Sequence, residues 1–84
     1  MITASQMRAA RALLGLDQRE LAALAGISLP TIQRMEGSAG TVRGHVESLT
    51  KVVAALEGAG IVLIRDHDVS PEGGRGVRFR EPRG

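Results

Sequence analysis

Between Ser28 and Glu36 the chain reads Ser-Leu-Pro-Thr-Ile-Gln-Arg-Met-Glu. Within four residues of it, Thr31, Gln33 and Arg34 offer a hydroxyl, an amide and a guanidinium. These groups suit nucleic-acid edges: a guanidinium can fork onto guanine O6 and N7, and hydroxyls and amides can reach bases or phosphates. Other polar clusters lack comparable chemistry. No serine has an evident base and orienting acid, so no catalytic set emerges. In Asp66-His67-Asp68, neighbouring side chains on an extended segment point to opposite faces, and no second ligand set occurs elsewhere, so the triplet reads as a polar loop rather than a metal centre. His45 has no carboxylate or nucleophile at a relay spacing and is expected at the surface in a first helical turn. Gly58-Ala59-Gly60 follows a helix and precedes a strand, the reverse of the order a phosphate-cradling loop requires. Gly73-Gly74-Arg75-Gly76 has no following helix and reads as a turn. No cofactor, metal or enzymatic activity is expected.

The elements around Thr31 and Arg34 are signalled by caps. Thr3 with Gln6, and Asp17 with Glu20, have the spacing of reciprocal capping boxes, and Leu16 with Leu21 forms a hydrophobic staple. Ala4, Met7, Ala10 and Leu14 trace the inward stripe of a first helix that ends at Gly15. Leu21, Leu24 and Ala25 give the second helix its apolar face, and Gly26 stands where a left-handed terminating residue is needed. Ile27 plugs the corner. Ser28 caps the third helix, with Pro30 in its first turn, where a missing N–H costs little. Ile32 and Met35 face inward, which turns Leu29, Pro30, Thr31, Gln33 and Arg34 outward. Arg8 and Arg11, on the flank of the first helix, read as solvated or paired charges.

After Glu36, Gly37-Ser38-Ala39-Gly40-Thr41 has turn composition, and Arg43-Gly44 delays the next helix until His45. Val46, Leu49, Val53 and Leu56 mark one face of that helix, widened by Val52, and Gly58 and Gly60 end it. The period then changes. Ile61-Val62-Leu63-Ile64 is a β-favouring run that is apolar on both faces, and Val77-Arg78-Phe79-Arg80 alternates as a half-buried strand.

Two short helices joined at Gly26, with Gly15-Leu16, Gln18, Glu20-Leu21-Ala22, Thr31-Ile32 and Met35-Glu36 in place, resemble the helix-turn-helix of the phage repressor and Cro-like group, the XRE family. The resemblance spans roughly residues 5 to 57 with a flanking helix on each side. It implies that the helix 28–36 lies in the major groove, that Gln18 contacts phosphate, and that Thr31, Gln33 and Arg34 contact bases or backbone. Ser28 and Leu29 complete that face, with Leu29 placed to meet a thymine methyl. The loop after the helix would pass near the sugar-phosphate backbone, making Ser38, Thr41 and Arg43 further contacts. The chain departs from the family at Leu29 and Pro30, where polar side chains are common. That departure admits a rival use of the same scaffold, as an antiactivator or antitoxin that binds and inhibits a regulator or a toxin. Small bacterial members have a similar tail, here ending in Gly74-Arg75-Gly76-Val77-Arg78.

With 84 residues, a lone chain buries only about 60–65% of its extended surface, and without cysteine it has no disulfide or thiolate–zinc support. Two short strands also make no stable sheet alone. The expected remedy is a homodimer in which the tails of two copies combine through Ile61, Val62, Leu63, Ile64, Val77 and Phe79; pairing within one chain across the long 66–76 connection is possible but unforced. Net charge is only +2, so charge alone identifies no nucleic-acid binder, and the positions of the arginines decide. No apolar run reaches membrane-spanning length and no signal-peptide core is present, so a cytoplasmic protein without a membrane partner is expected. The expectation is a mainly α fold: a Cro/repressor-like helix-turn-helix domain of four helices over residues 1–60, then a two-strand β tail over 61–84 that dimerises. Its expected role is a bacterial transcriptional repressor reading a palindromic operator in double-stranded DNA.

Overall fold

The computed structural model describes residues 2–65 and 73–81. Four helices, α1 (Ala4–Leu14), α2 (Gln18–Ala25), α3 (Leu29–Glu36) and α4 (Val46–Gly58), precede two strands, β1 (Ile61–Ile64) and β2 (Gly76–Phe79). Side chains fix the first three helix starts. The Gln6 backbone N–H donates to Thr3 Oγ1 at 3.1 Å and the Thr3 N–H donates to Gln6 Oε1 at 2.9 Å. Glu20 and Asp17 repeat the exchange at 2.7 and 3.0 Å. The Thr31 N–H donates to Ser28 Oγ at 3.3 Å. Gly26, with φ of 70°, supplies the left-handed turn between α2 and α3 that a side chain would strain. α4 opens differently: His45 is its N-cap residue and makes no side-chain capping bond.

The core joins Met7 and Ala10 of α1, Leu21 of α2, Ile32 and Met35 of α3, Val52 and Leu56 of α4, and Ile61 of β1. Two expected core positions lie elsewhere. Leu24 is 51% exposed while Ala22 is buried. At about 100° per residue, Ala25 falls between Leu21 and Ala22 on the helical wheel and Leu24 lies about 100° or more from that centre, so packing of α2 against both α3 and α4 selects the other side. Val46 is 76% exposed because α4 buries Leu49, Val52 and Leu56, and the first turn stands outside that stripe.

The loop between α3 and α4 is tied to the start of the chain. Ala4 N–H donates to Gly40 O at 2.9 Å and Val42 N–H to Ile2 O at 3.0 Å, while Thr3 and Thr41 form an isolated antiparallel bridge. Val42 and Ile2 are both buried.

β1 and β2 pair with each other, antiparallel, with Ile61 opposite Phe79, Val62 opposite Arg78, Leu63 opposite Val77 and Ile64 opposite Gly76. The ladder therefore closes inside one chain, and a second copy is not what completes it; only the outer edges remain for other partners. β2 starts one residue earlier than its alternation suggests, and Arg80 N–H still donates to Gly60 O at 2.7 Å beyond the strand end. The sheet is held by the helices: β1 packs on α4 and β2 on α1. Gln6 uses both amide hydrogens there, donating to Ile64 O at 2.9 Å and Gly76 O at 3.0 Å. Ile61, expected to face a second copy, is 1% exposed and belongs to the chain's own core. Val62, Leu63, Ile64, Val77 and Phe79 are half-buried.

Candidate nucleic-acid interface

α3 is short, and burial of Ile32 and Met35 fixes its rotation, leaving Gln33 and Arg34 exposed and Thr31 half-exposed. Local hydrogen bonds link the polar groups along this face. Ser28 Oγ and Thr31 Oγ1 are 2.8 Å apart, and Arg34 Nη2 reaches Thr31 Oγ1 at 3.5 Å. Pro30 is exposed, whereas Leu29 is half-buried and packs against the core, so only part of its side chain faces outward. A cleft of about 460 Å³ separates Thr31 and Arg34 from Gly44, His45 and Ser48 at the start of α4, with Met35 in its floor.

Behind α3 stands a buried ionic brace. Arg11 Nε and Nη2 donate to the two carboxylate oxygens of Glu36 at 2.8 Å each, a two-point match of planar fork to carboxylate. The Glu36 side chain is 3% exposed and that of Arg11 20%. The hydrogen bond to Glu36 outweighs the cost of burial and holds the Arg11 guanidinium above its ordinary pKa, so it stays charged. Arg8 Nη1 donates to the Glu36 carbonyl at 2.6 Å, placing positive charge where the dipole of α3 is negative. Gln18 Nε2 also donates to Glu36 Oε1, at 3.1 Å. The expected phosphate contact at Gln18 thus shares its amide with the brace and keeps one amide hydrogen and its carbonyl oxygen for other uses.

In the loop, Ser38 Oγ accepts from the Arg43 N–H at 3.2 Å and donates to Arg34 O at 3.5 Å, which draws the loop to the C-terminal end of α3. Arg43 and Thr41 are exposed. The structure therefore links Ser28, Thr31 and Arg34 by hydrogen bonds along one flank of α3, leaves Gln33 exposed on the other flank, and places Ser38 and Arg43 at the helix end; Gln18 joins from α2 through Glu36, and Thr41 sits at the bridge to Thr3. Sequence reading assigned no role to Glu36, and left Arg8 and Arg11 as solvated or paired charges. The pair Arg11 and Glu36 is 25 residues apart and has no periodic signature. His45 and Ser48 line the cleft without having been singled out for it. The Asp66-His67-Asp68 triplet lies outside the described residues.

Residues 7–36 match the model of the helix-turn-helix family. The matched span runs from Met7 to Glu36 and so contains both partners of the brace and the whole of α2 and α3. No curated protein matches the chain. Among the described residues no helix is long and apolar enough to cross a membrane. Paired short helices at a left-handed glycine, a braced second helix with an outward polar face, and the match over residues 7–36 agree on a helix-turn-helix, the build of a DNA-binding module.

Proposed function

We propose that this protein is a homodimeric repressor of the bacterial cytoplasm that reads a roughly palindromic operator with α3. The observation that carries the reading is the face of α3 itself, where Thr31, Gln33 and Arg34 turn outward while Ile32 and Met35 are locked in the core. Gln33 and Arg34 reach base edges, Ser28, Thr31 and the exposed part of Leu29 support the approach, and Gln18, Ser38, Thr41 and Arg43 hold the flanking backbone. Two copies would place their α3 helices in successive major grooves about 34 Å apart, and a bound dimer over a promoter excludes polymerase. Partial burial of Leu29 counts against the rival use of this face as an apolar protein-docking surface.

Selection of bound sites from random duplexes with the full chain, followed by sequencing, tests this reading. An inverted repeat with half-site centres one helical turn apart is the expected result. Failure to enrich any sequence, with a regulator or toxin co-purifying instead, overturns it.

A further inference from the structure

The side of α3 that faces straight out from the scaffold carries a proline. At about 100° per residue, the buried Ile32, Met35 and Glu36 define the inward direction, and Pro30 falls close to opposite their mean, between Gln33 on one flank and Arg34 on the other. Pro30 is exposed, whereas Leu29 stands well to one side and spends part of its side chain on the core. In the first turn of the helix, Pro30 offers ring methylenes, with no backbone N–H and no polar side-chain atom. Its neighbours add no polar seat there. The Thr31 N–H donates to Ser28 Oγ at 3.3 Å, and Ser28 Oγ and Thr31 Oγ1 bond to each other at 2.8 Å.

We infer that Pro30 reads a pyrimidine C5-methyl group, and that the DNA this chain selects carries that methyl within about two base-pair steps of a guanine held by Arg34. Among the base-edge groups of the major groove, the C5-methyl is the apolar one; the others are donors or acceptors, which lose water against a proline ring and gain no partner. An apolar pole on α3 therefore favours a methyl and disfavours amino and carbonyl edges. The guanine follows from Arg34. Its Cα lies four residues, about 6 Å, along the helix from Pro30, but its guanidinium leans back, with Nη2 3.5 Å from Thr31 Oγ1. The fork is thus drawn towards the turn that carries Pro30, and base pairs stack about 3.4 Å apart. Two bases bear the methyl, thymine and 5-methylcytosine. Reading thymine makes binding a matter of sequence alone; reading 5-methylcytosine makes it respond to methylation of the duplex.

This inference rests on the proposed DNA reading and deepens it, and it can fail while that reading stands. Sites are selected with the full-length chain from random duplexes synthesised with cytosine and, separately, with 5-methylcytosine. In each enriched site uracil replaces thymine, or cytosine replaces 5-methylcytosine, one position at a time, which removes only the methyl. Each guanine is likewise exchanged for 7-deazaguanine, which lacks the N7 acceptor. The parent protein, Pro30→Ala and Arg34→Ala are titrated against these labelled duplexes, with a melting curve on each to verify folding. Loss of the methyl at one half-site position is expected to weaken the parent about 4-fold, the worth of one buried carbon, and to leave Pro30→Ala unaffected. At a guanine within about two steps of that position, 7-deazaguanine is expected to weaken the parent and Pro30→Ala by about 5-fold or more and to leave Arg34→Ala unaffected. A methyl effect at thymine names thymine as the ligand, and one at 5-methylcytosine names the methylated base. The absence of any methyl effect, a methyl effect that survives Pro30→Ala, or an Arg34-dependent guanine farther away overturns the inference and leaves DNA reading standing. Failure of both pools to enrich any sequence overturns the two together.

Discussion

Arg34 and Arg11 show how far residue type alone falls short of residue role. Both are arginines on helices near the same surface, yet Arg34 is exposed and weakly tied to Thr31, while Arg11 is clamped by both oxygens of a buried carboxylate. Arg34→Ala should cost about 1–3 kcal/mol of discrimination between operator and mismatched duplex with little effect on melting, a contrast that binding titrations and thermal denaturation measure together. Arg11→Ala should do the opposite. It leaves Glu36 as an uncompensated buried charge and should cost about 3–5 kcal/mol in urea denaturation, whereas Arg11→Met with Glu36→Leu should recover most of that loss. The outward set at Thr31, Gln33 and Arg34 was legible because Ile32 and Met35 share a helical period. The brace was not, because side chains 25 residues apart meet only once the turn at Gly26 has folded α3 back beside α1.

At the scale of elements, capping chemistry carried the most information. Thr3, Asp17, Ser28, Gly15 and Gly26 mark the ends of three helices, since each satisfies local backbone groups with local atoms. Faces were less legible than ends. Leu24 and Val46 are apolar and fall near the right period, but which side of a two-turn helix is buried depends on where its neighbours stand, and that is not local information. The tail depended on a contact of the same kind: Gln6 links α1 to carbonyls on both strands, 58 and 70 residues away. Gln6→Ala should therefore cost about 1–3 kcal/mol for two carbonyls left without a donor and should speed amide hydrogen exchange in β1 and β2 more than in α2 or α3. Gln6→Glu should be worse at neutral pH, since a carboxylate sets oxygen against oxygen. Burial beside those carbonyls raises the introduced carboxyl pKa, so the variant should regain stability as pH falls and the acid becomes a donor again. Exchange profiles and melts recorded across pH check both outcomes.

Across the whole molecule, the sparse net charge of +2 hides a division of labour. Arg34 stands in solvent on the outward side of α3 and Arg43 in solvent on the loop after it, whereas the Arg11–Glu36 pair is withdrawn behind the helix. Operator affinity should fall log-linearly with salt, and Arg43→Ala should reduce the slope by about 1 if it meets a phosphate; fluorescence titrations at several ionic strengths measure this directly. The same division has a practical consequence for handling the protein. Mobile ions compete with exposed arginines for phosphate but barely reach an ion pair whose carboxylate is enclosed. A concentrated sodium chloride wash should therefore release adhering nucleic acid from a purified sample while its scaffold remains intact, so that cleaning the preparation and keeping it native do not conflict.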